Sequence, residues 1–109
     1  MLKLLFDNLI SKYGDDFNWF VISDTNNIFY NEALFEINSH HPLYECIVQS
    51  VAKCESNDNV LFLLKNHHYA IIHLAYSKTN TKSFPIFEEF DSLQLAVDYI
   101  ENQFINEYI

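Results

Sequence analysis

Two apolar runs, NVLFLL at 59–64 and YAIIHLAYS at 69–77, joined by the tetrapeptide KNHH, constrain this chain more than any other feature. Each has the length of a strand and carries apolar side chains at both odd and even positions, and successive side chains on a strand point to opposite faces. Antiparallel strands of this kind need cover on both sides. A sheet with one wet face is thereby excluded, so helices or a second subunit must lie over each side.

The flanking segments can supply that cover. Leu2, Leu5, Phe6, Leu9 and Tyr13 recur at helical spacing opposite Lys3, Asp7, Asn8, Ser11 and Lys12, and Gly14 follows where a left-handed cap would sit. Near the other end, Leu93, Ala96, Val97, Ile100, Phe104 and Tyr108 form one stripe opposite Asp98, Glu101, Asn102 and Asn106. Asp91 with Gln94 three residues on has the composition of a capping box. Between them, Phe17–Ser23 reads as a strand holding Trp19, and IVQSVAKC followed by the turn ESND reads as another. After the polar SKTNTK, the run FPIFEEF predicts an edge strand whose Pro85 and charges discourage further pairing. The stretch IFYNEALFEINSHHPLYE fits both periods; Asn31 as an N-cap and Pro42 as a stop favour a short helix over 31–38. These elements predict a single α+β domain over 1–109, helix first and helix last, around an antiparallel sheet of four to five strands.

Half the residues are hydrophobic, with ten Phe, seven Tyr and one Trp, which excludes a disordered chain and supplies bulk for a core. Charge says more about partners. Fifteen acids stand against six lysines with no arginine, a formal net charge of −9. Phosphate backbones are held by Lys and Arg, so nucleic acid is excluded as a partner and a basic protein is favoured. Simple dispersal in solution is the plainer use of the same charge.

Classical chemistry finds little support. Cys46 and Cys54 form neither a CxxC motif nor a disulfide framework, and their spacing at the two ends of one strand would point both thiols to the same face. A single glycine excludes a phosphate-binding loop. Of five histidines, the adjacent pairs His40–His41 and His67–His68 lack the i, i+4 arrangement that aims two rings at one metal. His67 and His68 belong to a solvated hairpin turn. His73 shares a strand face with Tyr69, Ile71 and Ala75, as an interior or rim residue. Glu88 and Glu89 read as edge-strand charge rather than an acid and base couple. No cofactor or metal is expected. MLKLLFDNLI lacks the features of a secretory signal, and no run reaches the ~18 apolar residues of a membrane span, so a cytoplasmic chain with reduced thiols is expected.

The distribution of acids is the remaining signal. After Lys82 there is no base, while Glu88, Glu89, Asp91, Asp98, Glu101 and Glu107 follow; Asp15, Asp16 and Asp24 bracket the first strand. These are either solvated faces or a docking surface for lysines and arginines. In the second case Glu88, Glu89, Asp91, Asp98, Glu101 and Asp24 are the partner-binding candidates, with Tyr99 or Phe90 as aromatic anchors.

The ordered set WFVISD, EALFEINSHHPLYE, DNVLFLL, YAIIHLAYS and FPIFEEFDSLQLAVDYI, over residues 17–100, resembles small bacterial immunity proteins found beside polymorphic or contact-dependent toxins. Where that pattern reads HLTWS, this chain reads HLAYS. The resemblance implies an antitoxin that neutralises the cognate toxin domain by tight binding and catalyses nothing; the acidic surface suits a basic nuclease. Two alternatives stand beside it: a small-molecule-binding or enzymatic domain using His41 and His73 in a pocket between sheet and helix, and a homodimerisation module.

Overall fold

The apolar hairpin lies at the centre of an antiparallel sheet in the computed structural model, which describes residues 1–23, 27–76 and 85–108, the last of them by backbone alone. Five strands lie side by side in chain order: β1 (Trp19–Val21), β2 (Ile47–Cys54), β3 (Asn59–Leu64), β4 (Tyr69–His73) and β5 (Ile86–Phe90). Three helices complete an α+β fold: α1 (Leu2–Tyr13), α2 (Ile28–Glu36) and α3 (Leu93–Tyr108).

Alternation along β3 and β4 sorts the core into two halves. Leu61 and Ile71 turn toward α1 and α3, where Phe6, Leu9, Ala96, Val97, Ile100 and Phe104 meet them. Val60, Phe62, Leu64, Ala70 and Ile72 turn the other way, onto Ala33 of α2 and Ile37 and Leu43 beyond it. The cover that the two apolar runs demand is thus provided on both faces by the chain itself. Truncating Phe62, fully buried, would cost ~3–5 kcal/mol in transfer and cavity terms.

Aromatic rings join the first helix to the last. Phe17 lies edge-on to Phe6 (6.1 Å between centroids) and to Phe104 (5.6 Å), and Tyr13 sits 4.8 Å from Phe104. Gly14 ends α1 with φ 71° and ψ −151°, a positive φ that side chains resist but outside the left-handed helical region that a capping glycine was expected to occupy. A 3-10 turn, Gly14–Asp16, then leads toward β1.

Several details differ from the expected ones, β1 being shorter than 17–23 and α2 ending at Glu36 rather than Asn38, and three of the differences have a local reason. The second helix begins at Ile28 rather than Asn31, because Asn27 takes the left-handed conformation and its carbonyl accepts the Asn31 N–H at 2.8 Å. Asn31 is therefore inside the first turn and caps nothing. At α3 the cap is Ser92, whose Oγ accepts the Leu95 N–H at 3.2 Å, while Gln94 donates to Asp98 at 2.8 Å. The cap thus falls one residue after Asp91, and because Leu95 cannot return the bond the expected Asp91–Gln94 box is not formed.

The third difference is in β2. Its pairing with β3 slips between Ile47 and Gln49 and again between Ser50 and Ala52, and each extra residue reverses the facing of those that follow. The two reversals cancel over the whole strand, so Ile47 packs on the α2 side and Ala52 and Cys54 on the α3 side as simple alternation requires, while Val51, the extra residue of the second slip, joins the α3 side beside Ala52. Cys46 precedes the strand, its Sγ 3.5 Å from the Tyr44 carbonyl, so the two thiols do not share a face. Both cysteines are free. Among the described residues no helix is long and apolar enough to cross a membrane.

Candidate functional site

Strand β5 ends the sheet, and α3 returns from it across the same face, so the acids of this part of the chain are brought together by a single tight connection. Register decides how they divide. Glu88 pairs with Ile71 and shares its α3-side face, whereas Glu89 pairs with Ala70 and leans to the opposite side.

Three depressions open along this corner, and Tyr99 lines all of them. The first, about 390 Å³, is bounded by Glu89, Phe90, Asp91, Leu95, Asp98, Tyr99 and Asn102. A second, about 320 Å³, lies between Asn59, Ile71, His73, Ile86, Phe87, Glu88 and Tyr99. The third is a notch of about 50 Å³ near the end of α3, with Trp19 and Phe104 inside and Asn57, Asn59, Gln103 and Glu107 around it. Among the described residues, no lysine lines any of the three. Phe90 and Tyr99 are half-buried with ring centroids 5.2 Å apart, while Leu95 (51 %) and Ile86 (55 %) are exposed. Apolar side chains ringed by carboxylates are the composition of a polar-rimmed contact patch.

The acids expected to act together do not all do so. Asp91 and Asp98 stand exposed at the first depression, and Glu88 at the second. Glu89 is engaged: the His68 ring lies 2.7 Å from it through Nδ1 and 3.8 Å from Asp91 through Nε2. The hairpin turn is thereby pinned to β5 rather than simply solvated. Glu101 is a correction. It faces α1, where its carboxylate accepts from Lys12 at 2.9 Å and from the Tyr13 hydroxyl at 2.6 Å. Those two bonds hold its carboxyl below the ordinary range, and the Tyr13 hydroxyl is pushed up by the same carboxylate, then by burial. Glu101 ties α3 to α1 and is not part of the acidic corner. Asp24 lies outside the described residues; Asp15 and Asp16 are exposed in the 3-10 turn, remote in sequence from β5 and α3.

The histidines are also separated. His41 is buried (3 %) against Phe87, 5.2 Å between ring centroids. Its Nδ1 accepts the Leu43 N–H at 3.0 Å, so Nε2 carries the proton and donates to the Pro85 carbonyl at 2.8 Å. Both ring nitrogens are thereby occupied in stitching the 37–46 segment to the start of β5. His73 lies at the rim of the opposite face, its Nδ1 2.8 Å from Asn59 Oδ1. The expected pocket containing both rings is not formed, because Phe87 and Ile71, their respective neighbours, face opposite ways.

One functional-looking group escaped the sequence reading. Glu36 on α2 is fully buried, and its carboxylate accepts the N–H groups of Ala75 at 2.8 Å and Tyr76 at 2.7 Å. Glu32, one turn earlier, is raised to about 7 by its hydrogen bond to Glu36, by burial and by the charge of Glu36. The available signal was a charge on an apolar stripe, since Ala33, Glu36 and Ile37 share one side of the helix. Among the described residues no group of three His, Cys, Asp or Glu is placed to hold a metal.

No family model matches this chain, and no curated protein or solved structure matches it significantly.

Proposed function

We propose that this protein is an immunity-type binding protein, whose acidic corner of β5 and α3 docks onto a basic partner and blocks it. The observation that carries this reading is the first depression, where Asp91 and Asp98 flank Phe90, Leu95 and Tyr99 with no lysine among the described residues that line it. Half-buried rings offer apolar contact at small entropic cost, and the carboxylates around them steer and select a positively charged surface. The resemblance of the packing motifs to toxin-immunity proteins points to a toxin domain encoded beside this chain, and a nuclease domain would have the required charge.

Self-association through the free edge of β5 fits less well. An antiparallel pair of β5 strands would set Glu88 and Glu89 near their own copies, which edge strands use to prevent pairing. The test is co-purification with the product of the neighbouring reading frame, followed by a salt titration of affinity. The expected result is a complex that weakens as salt rises and loses about tenfold or more in affinity, roughly 1.4 kcal/mol, on Asp91→Lys or Asp98→Lys. Binding indifferent to both reversals and to salt would sink the acidic-surface reading.

A further inference from the structure

The notch beside Tyr99 has its own chemistry. At about 50 Å³ it exceeds the roughly 10–15 Å³ that one water needs, so it accommodates a group of several atoms. Trp19 and Phe104 give it apolar walls, and Asn57, Asn59 and Gln103 bring amides to it. Among the described residues, Glu107 is its one carboxylate and no lysine or histidine lines it.

The surroundings favour a cation. The notch opens at the C-terminal end of α3, where the helix carries partial negative charge and a basic side chain would normally stabilise the last turn. The last described turn contains no base. Two of these amides, Asn57 and Asn59, are held in place from other directions. Asn57 Oδ1 accepts the Asn59 N–H at 2.9 Å, Asn59 Oδ1 lies 2.8 Å from His73, and Lys53 donates to the Asn57 carbonyl, bracing the turn. A site so braced requires little rearrangement when it is filled.

Shape and donor count distinguish between cations. An ammonium is compact and strongly hydrated, whereas a guanidinium is flat, weakly hydrated and offers five N–H donors to several acceptors at once beside aromatic surface. The chain contains no arginine, so neither this molecule nor a second copy of it can supply that group.

We propose that the notch is a socket for the guanidinium of an arginine on the partner protein, with Glu107 as its charged acceptor and Trp19 in its wall. This inference rests on the proposed function for the identity of the partner but not for the chemistry of the socket. Because Trp19 is the only tryptophan, its indole N–H is a single reporter.

The experiment titrates the intact protein with a glycine-flanked arginine peptide and with its citrulline twin, which has nearly the same shape but no charge, following amide and indole resonances by NMR. The expected result is a saturable shift of the Trp19 indole and the Asn57, Asn59 and Gln103 side-chain amides, with affinity falling about tenfold for citrulline and likewise for Glu107→Gln. Asp7→Asn, which changes an exposed carboxylate of α1 paired with Lys3, should leave the response to the peptide unchanged. Equal response to arginine and citrulline, or shifts confined to Asp91 and Asp98, would overturn the socket. The neighbouring toxin domain separates the two ideas. If the arginine peptide fills the notch but that domain does not bind, the socket stands and the immunity reading fails. If the domain binds wild type and Glu107→Gln equally well, the immunity reading stands and the socket fails.

Discussion

The two faces of the sheet treat polar side chains in opposite ways. On the α2 face, Glu36 and His41 are driven into the interior; apart from the bond between Glu36 and Glu32, their partners are backbone: the N–H groups of Ala75, Tyr76 and Leu43, and the Pro85 carbonyl. Across the sheet, polar groups gather at the rims of depressions, where Asn59 meets His73 and where Glu88, Asp91, Asp98 and Glu107 remain open to solvent. Burial with backbone partners builds architecture; exposure around half-buried rings leaves a surface with something to recognise. The same residue types serve both purposes, so composition could not have told them apart.

The largest test of that contrast is Glu36→Ala. Removing the carboxylate leaves two N–H groups without acceptors beside a fully buried position, a loss of about 2–4 kcal/mol. Glu107→Ala on the other face should stay within about 0.5 kcal/mol, since it removes an exposed side chain. Urea unfolding of both variants checks this directly. Equal midpoints would mean that the two faces are not differently built.

His41→Phe sharpens the contrast at smaller scale. The ring against Phe87 is kept while both polar bonds are lost, which should cost about 1–3 kcal/mol and speed hydrogen exchange at the Leu43 amide. His73→Ala, at the opposite rim, should change stability by no more than about 0.5 kcal/mol. Should His73→Ala prove the more damaging, the assignment of His41 to architecture and His73 to the rim is reversed.

Much of this arrangement was legible in the amino acids. The two-sided apolar runs demanded cover on both faces, and the stripes on α1 and α3 identified half of that cover. Beyond those patterns, single backbone choices decided the outcome. Strand β2 begins only at Ile47, so the even spacing of Cys46 and Cys54 carries no common facing, and a left-handed Asn27 moved the start of α2 back from Asn31. At the acidic corner, charge sequence located Asp91 and Asp98 beside Phe90 and Tyr99, yet it also enrolled Glu101, because a helical period does not reveal that Lys12 and Tyr13 will fold against it. Tertiary partners, unlike stripes, have no local signature.

Acid titration gives the finest test, because one carboxylate on each face should respond to pH with opposite sign. Glu32 on the α2 side is raised to about 7 from an ordinary 4.5, chiefly by its hydrogen bond to Glu36. Between those values the folded chain keeps a proton that the unfolded chain has released. Its contribution is therefore fully present below 4.5 and lost as pH rises toward 7. Glu101 is lowered, chiefly by the hydrogen bond from Lys12, so its contribution is present above the ordinary carboxylate value and lost as pH falls through its folded one. Glu32→Gln, which keeps a donor toward Glu36 but cannot ionise, should flatten the decline between mildly acidic and neutral pH. Glu101→Gln should lower stability at neutral pH by less than about 1 kcal/mol, as expected for a pair open to solvent, and the deficit should shrink on acidification. Urea midpoints followed across that range for wild type and both variants give the answer. A Glu101→Gln deficit that grew toward acid would show that its bonds to Lys12 and Tyr13 do not favour the ionised carboxylate.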